Sequence, residues 1–246
     1  MKKKLTAVAL VVCMLAIMLV GASLAYFTDE SDVATNVMTL GNVTIEQYEK
    51  DQDGKDFEQD QPLFPMVDNR KDKEAYPVVN GYYDPAMNNV IDKIITVENT
   101  GLSDAYVRTI IAFETDTVYN ADGTVYGDAH DVYIGVLGDF EYLKDGEDFV
   151  TITIGDEDYV LAVKVYEEAL PGKAADGTTS TTEPSLKQFF LAPTAGNEVA
   201  TLFGDEYTIL ALSQAVQTEG FGSAAEALDT AFGAVTAANA TAWFTK

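Results

Sequence analysis

Between Ala105 and Glu114 the side chains alternate along the chain: Val107, Thr109, Ile111 and Phe113 take one side, Arg108 and Glu114 the other. A period of two is the spacing of an extended strand with one buried face, and it does not fit a helix, whose faces recur every ~3.6 residues. The same alternation sets Ile91, Ile95 and Val97 against Asp92, Thr96 and Glu98. Between the two runs, Asn99-Thr100-Gly101-Leu102-Ser103-Asp104 has turn composition. Further strands are predicted over 38–48, 140–144, 149–154, 159–167 and 207–216. Gly155-Asp156-Glu157-Asp158 supplies a tight hairpin, and Leu210, Leu212 and Val216 share a face in the last strand. Many short strands separated by turn clusters predict an all-β chain, an antiparallel β-sandwich or jelly roll.

Two stretches interrupt the pattern. Residues 49–60 (EKDQDGKDFEQD) form a charged loop, and 172–184 (GKAADGTTSTTEP) holds so few apolar residues that a mobile loop is expected. Asn120-Ala121-Asp122-Gly123 is a turn signal. One short amphipathic helix is predicted over 223–233. Ser223 and Glu226 have capping-box spacing, Phe221, Ala225, Leu228 and Phe232 make the apolar face, and Gly233 stops it. The tail beyond it carries the sole tryptophan, Trp243, beside Phe244, as a docked segment or a sticky end.

The N-terminus is built differently. Lys2, Lys3 and Lys4 precede an apolar run from Leu5 to Val20, followed by Gly21-Ala22-Ser23-Leu24-Ala25. This is the pattern of a signal helix over 1–25 with small residues, Ser23 and Ala25, before a cut at Tyr26. Contact with a membrane is expected only through this segment while it is uncleaved. The only cysteine, Cys13, sits within the apolar run behind Val12, which does not fit a lipid-attachment site. Disulfides and thiolate chemistry are therefore not expected after the cut. The domain reading is a leader or donor strand over 26–38 and a single β domain over 39–246.

Beyond residue 25 lie all 40 Asp and Glu but only 12 of the 15 Lys and Arg, a net charge of −28. A field of that sign repels nucleic acid and anionic lipid, so neither is an expected partner. Enzyme chemistry finds little footing. The one histidine, His130 in Gly127-Asp128-Ala129-His130-Asp131, permits no HExxH helix, and no G-x-S-x-G elbow is present. His130 reads as an exposed loop residue and no enzyme activity is expected. Calcium is the better ligand, because Glu49-x-Asp51-x-Asp53-Gly54, with Asp60 twelfth, mimics the alternating oxygen donors of an EF-hand loop. Glu at the first position, Asp56 in a usually apolar place and Asp at the last depart from that loop.

The segment Ala25-Tyr26-Phe27-Thr28-Asp29, with Ala34-Thr35-Asn36 behind it, resembles the export signals of the TasA and camelysin families, which a SipW-type signal peptidase processes. The resemblance continues through residues 34–43, through Val97-Glu98-Asn99-Thr100-Gly101 and Asp104-Ala105-Tyr106-Val107-Arg108, and through 214–221 running into the capped helix. It implies a secreted structural protein of the Gram-positive cell surface or biofilm matrix, with the SipW-type signal peptidase as partner during export. It also implies self-association into fibres, the freed N-terminal segment adding as a strand to the next subunit, with Tyr26, Phe27, Val33 and Val37 as anchors. The alternatives are a camelysin-like surface metallopeptidase and a monomeric adhesin or glycan-binding module.

Overall fold

The computed structural model describes residues 28–30, 43–59, 61–66, 80–204 and 206–246. The signal segment, the cleavage residues Ser23, Ala25 and Tyr26, the anchors Tyr26, Phe27, Val33 and Val37, and Asp60 lie outside the described residues. What is described is built mainly of antiparallel strands, as an all-β chain requires.

The largest sheet has six strands. Its backbone order is β1 (Thr28–Glu30), β16 (Ile209–Gln217), β5 (Ala105–Thr115), β13 (Glu157–Leu170) and β12 (Thr151–Ile154), with β9 (Glu141–Tyr142) pairing further along β13. A second sheet runs β14 (Ser180–Thr181), β4 (Ile94–Asn99), β2 (Ile45–Lys50), and a third runs β3 (Ile91–Asp92), β15 (Leu186–Leu191), β8 (Ile134–Gly138). Two hairpins stand apart: β6 (Thr117–Tyr119) with β7 (Val125–Asp128), and β10 (Lys144–Asp145) with β11 (Asp148–Phe149). The helices are α1 (Pro85–Asn88), α2 (Ala129–Tyr133), α3 (Glu198–Phe203), α4 (Ala224–Phe232) and α5 (Ala237–Phe244).

The smaller sheets press on one face of the large one. Ile45 and Val97 pack with Ala105, Val107 and Ala215, and Ile95 and Leu186 pack with Ile111, Phe113, Val160 and Ala162. Local turn chemistry sets the register. Asn99 is fully buried, receives the Gly101 N–H, and donates its amide to the carbonyls of Ser103 and Leu170 at 2.9 and 3.0 Å. Ile154 pairs with Glu157 across Gly155-Asp156, and Gly155 has the positive φ (66°) that a side chain would strain.

The alternation in β5 predicts one buried face, but both faces are covered. Ile110, Ala112 and Leu212 pack beneath Trp243 and Phe244 of α5, and Val216 packs beneath Ala224, Ala227 and Leu228 of α4. The predicted helix is present with Ser223 as its N-cap: Ser223 Oγ accepts from Glu226 N, while Glu226 Oε2 accepts from Gly222 N rather than from the Ser223 N–H of a strict capping box. Its buried face carries Ala224, Ala227 and Leu228 rather than Ala225, which is exposed. The tail is a second C-terminal helix, not a loose end.

Other boundaries move as well. The predicted strand over 91–97 is two strands in two sheets, parted at Lys93, whose side chain is buried against Glu49. The strand predicted over 38–48 is seen as β2 from Ile45, with 38–42 outside the described residues. In the 172–184 stretch, Ser180–Thr181 pairs with β4, and buried Thr182 accepts a hydrogen bond from Val97 N at 3.0 Å, so part of the expected loop is sheet edge.

Arg108 ties the helices to the sheet. It is 2% exposed, donates Nε to Gln214, Nη1 to Asp229 of α4 and Nη2 to the Gly233 carbonyl, and faces the Trp243 ring at 5.2 Å. Replacing Arg108 with Ala leaves those acceptors without their donors, so a loss of about 3 kcal/mol is expected. Urea unfolding followed through the sole tryptophan checks this, with a red-shifted Trp243 emission expected in the variant before unfolding.

Candidate functional site

The densest group of titratable side chains lies where β5 ends. Thr115, the last residue of β5, donates its hydroxyl to Asp128, and Asp128 caps α2 by accepting from His130 N at 3.0 Å. The cap turns His130 inward. Its ring stacks on Phe113 with centroids 4.7 Å apart, and it is 2% exposed, so the loop position expected from sequence is overturned. The polar neighbours Asp128 and Asp131 suggest a solvated segment, but Asp128 is engaged in the cap, and α2 buries Ala129 and His130 while Asp131 stays exposed.

Both imidazole nitrogens are engaged: Nδ1 lies 3.0 Å from the Tyr207 hydroxyl and Nε2 lies 2.7 Å from the Tyr142 hydroxyl. A neutral ring suits this arrangement, accepting from one phenol and donating to the other. Burial lowers the His130 pKa to about 4 and raises those of Tyr142 and Tyr207. Burial also raises the Asp128 pKa, with hydrogen bonds from Thr115 and the α2 backbone opposing it. Glu114, 4% exposed, is likewise raised by burial, although its carboxylate accepts from Thr208 N at 2.6 Å. With the phenols held above their usual range and the histidine below its own, all three rings are uncharged near neutral pH. The cluster is a clamp that joins β5, β9, α2 and the start of β16.

Beside it opens a cleft of about 870 Å³. Its lining comes from the 57–65 segment, from Ile91, Phe189 and Leu191 of the third sheet, from α3, and from residues 206–211. Tyr207 belongs to both the clamp and the cleft wall. Lys93, the one cation among the described lining residues, is 4% exposed, paired with Glu49, and placed 4.1 Å above the Phe57 ring.

The proposed calcium donors are engaged separately. Glu49 accepts from Lys93, Asp51 accepts from Lys55 N at 2.8 Å in its own turn, and exposed Asp53 lies 3.5 Å from Lys55 Nζ. Among the described residues no group of three or more His, Cys, Asp or Glu is placed to hold a metal, and no helix is long and apolar enough to cross a membrane. Asn120-Ala121-Asp122-Gly123 is the β6–β7 turn, closed by Asn120 N to Thr124 O at 2.7 Å. Comparison of the chain with protein-family models, characterised proteins and solved structures finds no match.

The clamp has a pH signature. The folded state holds His130 near 4, below the 6.5 of an exposed ring, so its stabilising contribution is complete above pH 6.5 and is lost as pH falls toward 4. The shift is worth about 3 kcal/mol. Glu114 and Asp128, raised by burial, act in the opposite sense, favouring the fold when protonated. Chemical denaturation of the native chain and of His130→Gln isolates the histidine: the difference in unfolding free energy is expected to shrink from pH 7 to pH 4.

Proposed function

We propose that the chain is a secreted structural protein of the bacterial cell surface or biofilm matrix, released by a SipW-type signal peptidase and self-associating through its N-terminal segment. The observation that carries the reading is β1. Thr28, Asp29 and Glu30 pair antiparallel with Val216, Ala215 and Gln214 at the outer edge of the six-stranded sheet. Those three residues fall inside the 26–38 segment that the expected cut at Ala25–Tyr26 would set free.

A sheet edge is a template for any strand that can satisfy its N–H and C=O groups. The β16 edge that takes residues 28–30 of its own chain takes the same residues of another by the logic of strand exchange, in which identical contacts form in cis or in trans. Exchange in one direction, subunit to subunit, gives an open-ended fibre. The strand layers around the β5 core suit a jelly-roll sandwich as the repeating body. With a net charge of −28 beyond residue 25, repulsion between copies opposes assembly, and calcium or salt would relieve it.

The metallopeptidase alternative would need His130 as a metal ligand, yet tyrosine hydroxyls occupy both its nitrogens. Sedimentation and electron microscopy of residues 26–246 beside residues 39–246, with and without calcium, test the proposal. Fibres or oligomers are expected from the longer chain alone, and more of them with calcium. Monomers from both chains in every condition would overturn it.

A further inference from the structure

The ladder between β5 and β16 fixes which backbone groups of β16 face another strand. Glu114 N donates to the Thr208 carbonyl at 3.1 Å, and the register runs without a break from the Ile209–Phe113 pair to the Gln217–Ala105 pair. Hydrogen-bonded pairs alternate along an antiparallel ladder, so Leu210, Leu212, Gln214 and Val216 turn their N–H and C=O groups toward β5. Ile209, Ala211, Ser213 and Ala215 turn theirs toward the opposite edge. β1 lies along that edge beside Gln214, Ala215 and Val216.

Farther along the same edge a side chain meets the Ala211 carbonyl. Gln47, in the middle of β2, donates Nε2 to that oxygen at 3.3 Å and accepts from Ser213 Oγ at 2.7 Å. Gln47 shares the inward row of β2 with Ile45, which clusters with Ala215, and with Glu49, which holds Lys93. Packing does not require a polar residue in that row. An apolar side chain would cover Ala211 without the cost of taking an amide out of water, but it would leave the carbonyl bare. What the amide adds is occupancy of the edge, and an obstructed edge is how sheets resist unwanted strands.

We propose that Gln47 guards the β16 edge: its amide stands where the N–H of an added strand would bond, so pairing that reaches Ala211 requires this side chain to swing away. The inference rests on reading β16 as the edge for strand addition, and it names the residue that regulates that addition. A strand laid in the β1 register passes Ala215 and Ser213 before it meets the guard. The edge therefore admits a short strand and resists a long one. Displacing the guard forfeits a neutral hydrogen bond, which corresponds to about fivefold in affinity for the longer strand.

A fluorescently labelled peptide of residues 26–38, titrated into residues 26–246, reads the edge by anisotropy. Gln47→Leu is expected to bind the peptide about fivefold more tightly than the native chain. Ile45→Val, which loosens the same strand without touching the edge, is expected to match the native chain. Equal affinity of Gln47→Leu and the native chain, or as large a gain from Ile45→Val, would overturn the guard and leave strand addition standing. Binding to none of the three chains would overturn strand addition, and the guard with it. A second measurement needs no substitution. Saturating peptide is expected to shift the NMR signals of the Gln47 side-chain amide in the native chain, and unmoved signals in a peptide-bound chain would also overturn the guard.

Discussion

Everything described depends on β5 being buried on both faces. A strand covered on one side needs one apolar row, and this chain writes that row plainly. Covering the second side requires that Arg108, a guanidinium in the middle of it, be fully satisfied, because a buried cation without partners would cost more than the packing around it returns. Gln214, Asp229 and the end of α4 at Gly233 meet that demand, and Trp243 closes over the plane. The two C-terminal helices therefore complete the core, and the strands on either side of β5 inherit their positions from it.

The clamp at the end of β5 follows from the same geometry. Phe113 projects toward the smaller sheets and gives His130 a ring to stack on, while Thr115 and Asp128 turn α2 so that the imidazole faces inward. Tyr142 and Tyr207 arrive from β9 and from the approach to β16. The result is a neutral polar group wholly satisfied within an apolar region, which specifies one packing among several that the apolar residues alone would tolerate. The only histidine is thereby held as a neutral ring between two tyrosine hydroxyls.

A chain this acidic resists its own association unless the contacts are made of backbone or apolar surface. The strand addition proposed for the β16 edge meets that condition, because it would rely on main-chain hydrogen bonds. It would need no cation as a ligand, although cations in solution lower the repulsion it must overcome.

Interactions that span a few residues were legible in the sequence. The alternation of β5, the Asn99 turn, the Gly155 hairpin, the Asn120–Gly123 turn and the N-cap at Ser223 are each decided within about four neighbours, and each is present. What the tertiary structure alone decided joins residues far apart in the chain. Arg108 meets Asp229, His130 meets Tyr207, and Lys93 breaks a regular alternation because Glu49 waits for it across another sheet. The cleft likewise has no sequence signature, since its lining is drawn from several separate segments. Period and turn chemistry report the local preference of the backbone, whereas burial of a charge or a ring is settled by whichever distant partner arrives to satisfy it.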